Sequence, residues 1–178
     1  SMSEAYFLKK ASFLARLGSG SAARSIQGPM VSWGVSDVIE GSSDLYGTPL
    51  SSALHPVFQD YQDTILLIDK GQKKVSSTLG HNLMKNHPYA ATRFEQARTN
   101  VKLLKPILAS GDLDAFVSLV ESEALTLHAL MMASEPYFIL MHPNTLQVIN
   151  KVWAYRKETQ SALCFTLDAG ANVHLLYP

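Results

Sequence analysis

Leu163-Cys164-Phe165-Thr166-Leu167-Asp168-Ala169-Gly170-Ala171-Asn172-Val173-His174-Leu175-Leu176 is the stretch that decides the fold class. Two short β-rich runs, Leu163 to Leu167 and Val173 to Leu176, flank turn residues at Asp168-Ala169-Gly170, so two strands close the chain. Three helical patterns come before them. Ala90, Phe94, Ala97, Val101, Leu104 and Leu108 step by four and three and predict a buried stripe. Leu113, Phe116, Val120, Leu127 and Met131 mark the next helix, with Asp112 as its N-cap, and Leu146, Ile149 and Trp153 mark the last, with Asn144 as candidate cap. Further back, Thr64-Ile65-Leu66-Leu67-Ile68 and the alternating Met30 to Val35 read as strands. Phe7, Leu8, Ala11, Leu14 and Ala15 fall on one face of a helix from about Glu4 to Arg16, with Gly18 as its breaker. Strands in groups and helices in a group predict an α+β fold, a mostly antiparallel sheet with helices on one face.

Composition narrows the function. The 178 residues carry 15 basic and 15 acidic side chains, a formal net charge of zero. Nucleic-acid binders carry a basic excess that replaces counterions, and none is present here. The longest basic cluster, Lys73-Lys74, is too short for a membrane-surface patch, and no apolar run is long enough to span a bilayer. Cys164 is the only cysteine and sits in an apolar run, which predicts a buried reduced thiol in a reducing, cytoplasmic setting. The histidines show no metal-ligand spacing, so no metal site is expected, and His128 reads as a packing residue. Trp33 and Trp153 read as core.

Three stretches can carry chemistry. Gly18-Ser19-Gly20-Ser21, closed by Arg24, combines glycines that let an anion approach, two hydroxyl donors and a guanidinium fork for phosphate or carboxylate. A helix starting near Ser21 would reinforce the attraction. The same letters also suit a serine-capped linker. Asp168, at a strand end before a glycine, suits a general base projected into a cleft and equally an ordinary turn. Ser76-Ser77-Thr78, ahead of a helical segment, can cap that helix or bind phosphate oxygens.

Taken together the stretches resemble a known family. Leu14-Ala15-Arg16-Leu17-Gly18-Ser19-Gly20-Ser21-Ala22-Ala23-Arg24-Ser25, followed by Met30-Val31-Ser32-Trp33, is similar to the diphosphomevalonate decarboxylase signature of the GHMP kinase superfamily. Lys74-Val75-Ser76-Ser77-Thr78-Leu79-Gly80 resembles that family's second serine motif. Phe165-Thr166-Leu167-Asp168-Ala169-Gly170-Ala171-Asn172 resembles its D-A-G-P-N motif. Ala23 replaces the usual cysteine and Ala171 the usual proline. The resemblance implies a two-layer sandwich of the GHMP C-terminal type and ATP-dependent decarboxylation of diphosphomevalonate to isopentenyl diphosphate. It implies that Asp168 faces the C3 hydroxyl and that Arg24 grips the substrate carboxylate. Ser19, Gly20, Ser21, Ser76 and Ser77 would then contact substrate oxygens. ATP and Mg2+ are implied as well, although the family's ATP loop, P-x-S-S-A, does not occur before Gly18. The expected division is a helix and anion-binding turn over residues 1–27 and a C-terminal domain over 28–178, truncated at its end. The expected partner is a small phosphorylated substrate, with no nucleic acid and no membrane, and a homodimer is left open. A kinase of the same superfamily that phosphorylates without decarboxylating, and a non-catalytic module of the same fold, are the alternatives. The chain alone is expected to be inactive.

Overall fold

The computed structural model describes residues 3–50, 54–71 and 84–178. The first helix, α1 (Glu4–Gly18), starts at Ser3, whose hydroxyl accepts the Tyr6 N–H at 3.3 Å, and its last turn carries Arg16 where a cation suits the helix dipole. It runs past Arg16 to Gly18. A six-residue 3-10 segment, Gly20–Ser25, follows directly. Ser12, fully buried on α1, ties these pieces together. Its hydroxyl donates to the Ala23 carbonyl at 2.7 Å and accepts the Gly47 N–H at 2.8 Å. Gly47 is needed there, because a Cβ would lie 2.7 Å from the Ala23 oxygen.

The strand predicted over Met30 to Val35 is only two residues long. β1 (Val31–Ser32) pairs antiparallel with β2 (Thr48–Pro49). It stops because Gly34 takes a φ of 117°, outside the extended region. β3 (Gln62–Leu66) precedes the helices, and β4 (Cys164–Leu167) and β5 (Val173–Tyr177) follow them. These last three form one sheet, ordered β3-β5-β4 and antiparallel throughout.

α2 (Ala90–Ser110) ends on Gly111 in the left-handed conformation, φ 77°. α3 (Leu113–Met132) is capped by Asp112 as predicted, its carboxylate accepting the Ala115 N–H at 3.0 Å. α4 (Pro143–Thr159) begins one residue before Asn144. Its cap is His142, and Pro143 takes the first helical position, where a missing N–H costs nothing.

One face of the sheet carries Phe165, Leu167 and Val173, which pack on Ala124 of α3 and on Ile149 and Val152 of α4. This is the two-layer α+β arrangement the sequence predicts. A second cluster, Phe58, Leu108, Phe116 and Val117, closes over Cys164 at the far end of β4. The two layers are also pinned by charge. Glu121 of α3, buried, holds Arg156 of α4 through paired bonds of 2.7 and 3.0 Å, and it accepts the Trp153 indole N–H at 2.9 Å.

Several predicted core positions face outward instead. Phe94 and Val101 of the α2 stripe are exposed, as are Phe7 and Leu14 of α1. Trp33 and Trp153 keep 39% and 42% of their surface. Periodicity finds the apolar face of a helix, but what covers that face is a tertiary matter.

Candidate active site

The Gly/Ser turn is built by packing rather than by unusual backbone angles. Gly18 is the last residue of α1, and neither it nor Gly20 is among the left-handed glycines. Gly20 is required for another reason. The Trp33 ring lies against it, and a Cβ there would meet Cη2 at 2.6 Å and Cζ3 at 2.9 Å. Trp33 is anchored by its Nε1–H to the Asp44 carbonyl at 2.9 Å. Ser19 and Ser21 are exposed, with their hydroxyls 3.3 Å apart. The expected helix at Ser21 is the short 3-10 segment, which leaves only a small dipole to attract an anion.

Arg24 lies in that segment, exposed, on the wall of a cavity of about 410 Å³ between the β1–β2 region and α2. The cavity is mostly apolar, with Trp33, Ile39, Leu54 and Leu104 in its wall. Glu40 and Lys105 are its other charged side chains. Lys105 is committed to the Val38 carbonyl at 2.6 Å.

Asp168 opens the β4–β5 turn. Its side chain is exposed, and among the described residues no hydrogen bond or ion pair engages its carboxylate. The main chain of the same turn is held from several sides. His128 Nε2 donates to the Asp168 carbonyl at 3.0 Å; because a carbonyl can only accept, that nitrogen carries the proton. Burial holds the His128 imidazole below its ordinary pKa, which favours its neutral form. The Thr145 hydroxyl, fully buried, donates to the Ala171 carbonyl at 2.7 Å and accepts the His142 N–H at 3.1 Å. Asn172 Oδ1 accepts the N–H groups of Ile68 and Asp69 at 2.9 and 3.0 Å, tying the turn to the segment that leaves β3. The result is an anchored turn whose carboxylate no other described side chain engages, a suitable base or hydrogen-bond acceptor for a hydroxyl.

Arg24 and Asp168 stand on different elements; Asp168 is not in the wall of the cavity that Arg24 lines, and among the described residues no hydrogen bond joins them. Ser76 and Ser77 lie outside the described residues. Among the described residues no three His, Cys, Asp or Glu side chains converge on a metal position. His128 is buried, in keeping with its reading as a packing residue, but its contact with the Asp168 carbonyl and that of Thr145 with the Ala171 carbonyl were not foreseen. Their partners lie 40 and 26 residues away along the chain, so no local pattern marks them. Cys164, fully buried, has its thiol pushed up to about 12, chiefly by burial and then by the Glu121 charge, and is inert, as its apolar setting predicts.

The layers, the antiparallel sheet and the buttressed Asp-Ala-Gly turn define a GHMP-type C-terminal α+β domain. The chain belongs to the family described as Mevalonate 5-diphosphate decarboxylase C-terminal domain, whose profile matches residues 64–178. It is 25% identical over 172 residues to a diphosphomevalonate decarboxylase of Ganoderma lucidum, covering 93% of this chain and 42% of that protein. The crystal structure of a mevalonate diphosphate decarboxylase from Legionella pneumophila superposes with a TM-score of 0.80 at 30% identity, covering 96% of this chain and 50% of that one. A solved structure described as MDDEF in complex with MVAPP, AMPPCP and magnesium shares the fold, with a TM-score of 0.75 at 24% identity over 96% of this chain and 50% of that chain. The chain spans about half the length of the relatives it matches.

Proposed function

We propose that this chain is the substrate-side portion of an ATP-dependent carboxy-lyase that converts diphosphomevalonate to isopentenyl diphosphate in the mevalonate route to isoprenoids. The observation that carries the reading is the Asp168 turn, whose main chain is held by buried His128 and Thr145 while no other described side chain engages its carboxylate. In this reading Asp168 accepts the proton of the substrate's C3 hydroxyl as that oxygen becomes phosphorylated. Bound ATP, with its Mg2+, supplies the phosphoryl group that makes the C3 oxygen a leaving group. Arg24 grips the substrate carboxylate through its two-pronged fork. When phosphate departs with the C3–O electron pair, the C1–C2 pair becomes the C2–C3 double bond and carbon dioxide is released. Ser19, Ser21 and the Gly20 backbone, with Ser76 and Ser77, bind substrate phosphate or carboxylate oxygens.

A relative described with AMPPCP and magnesium supports ATP and Mg2+ as the reaction's other components. In this proposal magnesium enters with the ATP phosphates, and no step is assigned to a metal held by the described side chains. A cytoplasmic setting belongs to the same proposal and is supported by the lone buried thiol of Cys164.

The test is ADP and carbon dioxide release from diphosphomevalonate and ATP by the complete polypeptide that carries this chain. Both products should form in equal amounts, and Asp168→Asn should slow them together by at least about 10²-fold. ADP without carbon dioxide would show a kinase, and no turnover at all would show a non-catalytic module. The 178-residue chain alone should give no ADP, and turnover by it would overturn the assignment to one side of the site.

A further inference from the structure

The Asp168 turn is exposed at its tip and fastened at its base by two side chains that cannot reach a substrate. His128 and Thr145 are both fully buried, and both point their protons at main-chain carbonyls of the turn, those of Asp168 and Ala171. They come from different helices, α3 and α4, so the turn is clamped between the two helices that cover the sheet. Neither contact is demanded by the strand pairing, whose last rung is Leu167 with Val173. Two buried donors spent on a turn are costly to strand, so they fix its conformation firmly.

We propose that His128 and Thr145 are positioning residues for Asp168, holding the carbonyls on either side of Ala169-Gly170 so that the carboxylate meets the C3 hydroxyl in one orientation. This rests on the reading of Asp168 as the catalytic acceptor. The carboxylate acts on the reacting oxygen, whereas substrate affinity is assigned to Arg24 and the serines. Loosening the turn therefore lowers kcat and leaves KM for diphosphomevalonate nearly unchanged. Displacement of a reacting group by about 1 Å costs on the order of 10²-fold in rate.

The experiment compares four variants of the complete polypeptide: His128→Leu, His128→Gln, Asp168→Asn, and His128→Leu combined with Asp168→Asn. Each is assayed well below its own Tm, with rates referred to folded protein. His128→Leu should lower kcat by about 10²-fold with KM nearly unchanged. His128→Gln, whose amide places an N–H near the Nε2 position, should recover most of the loss. If His128 acts through Asp168, the double variant should be no slower than Asp168→Asn alone. Losses that multiply, a normal kcat in His128→Leu, or a fall confined to Tm overturn the positioning role while leaving Asp168 catalytic. A normal kcat in Asp168→Asn overturns the catalytic reading itself. If His128→Leu does not fold, Thr145→Val with Thr145→Ser as its rescue puts the same question through the Ala171 carbonyl.

Discussion

Replacing Glu121 with leucine should be among the most damaging changes available outside the active site. Glu121 has both carboxylate oxygens on the Arg156 guanidinium, at 2.7 and 3.0 Å. One of those oxygens also accepts the Trp153 indole N–H at 2.9 Å, and the other faces the Phe165 N–H at 3.4 Å. The glutamate side chain is only 9% accessible and the arginine 26%. Arg156 keeps one further partner, the Leu163 carbonyl at 2.9 Å. Leucine would fill the space but strand the guanidinium, the indole N–H and the strand N–H together. Breaking a buried pair from one side costs about 3–5 kcal/mol. At ~2–4 °C per kcal/mol for a domain of this size, Tm should fall by about 6–20 °C. Thermal unfolding followed by circular dichroism measures this directly. Combining Glu121→Leu with Arg156→Met removes the unpaired charge but not the stranded indole and strand N–H groups, so the double variant should regain part of the loss. A single variant within about 3 °C of the parent, or a double variant no better than the single, would refute the assignment of this pair as the pin between α3, α4 and β4.

Gly20→Ala pushes a methyl group to 2.6 Å from the Trp33 ring, and it should cost about 1–3 kcal/mol as overpacking. Tryptophan emission should shift with it as the ring moves off the Asp44 carbonyl, and unchanged emission and Tm would refute the contact. His128 makes stability depend on pH. Its imidazole lies below the ordinary value of 6.5 in the folded chain, so the unfolded chain binds more protons just below that pH. Stability should therefore fall as pH drops through this range, by up to about 1.4 kcal/mol per pH unit, until the folded imidazole also protonates. Urea unfolding across that range should show the extra slope in the parent and lose it in His128→Gln. Cys164, buried with its thiol pushed up to about 12, should resist iodoacetamide at about pH 8 and react only after unfolding. Rapid modification of the native chain would contradict its burial.

The sequence determined the local order of this protein. Period and turn chemistry marked the helices, the closing strand pair and the Asp112 cap, because helix caps and short turns depend on residues a few positions apart. The family was legible as well, since the profile agrees with the resemblance over residues 64–178. Gly20, Arg24 and Asp168 sit in stretches whose residue types limit what they can do, and their roles belong to the proposal. Tertiary structure alone decided which apolar stripes are covered. Phe94 and Val101 obey the helical period of α2 and still face outward, since burial needs a partner surface and periodicity does not name one. It also decided why Gly20 is glycine, through the Trp33 ring, and where the β1 strand ends. Above all it decided what holds Asp168. Asn172 reaches Ile68 across 104 residues and His128 reaches the Asp168 carbonyl across 40, separations that no local pattern encodes. Those bonds exist only after the sheet and helices have packed, because a buried donor is free to choose its acceptor until the fold brings one carbonyl within reach.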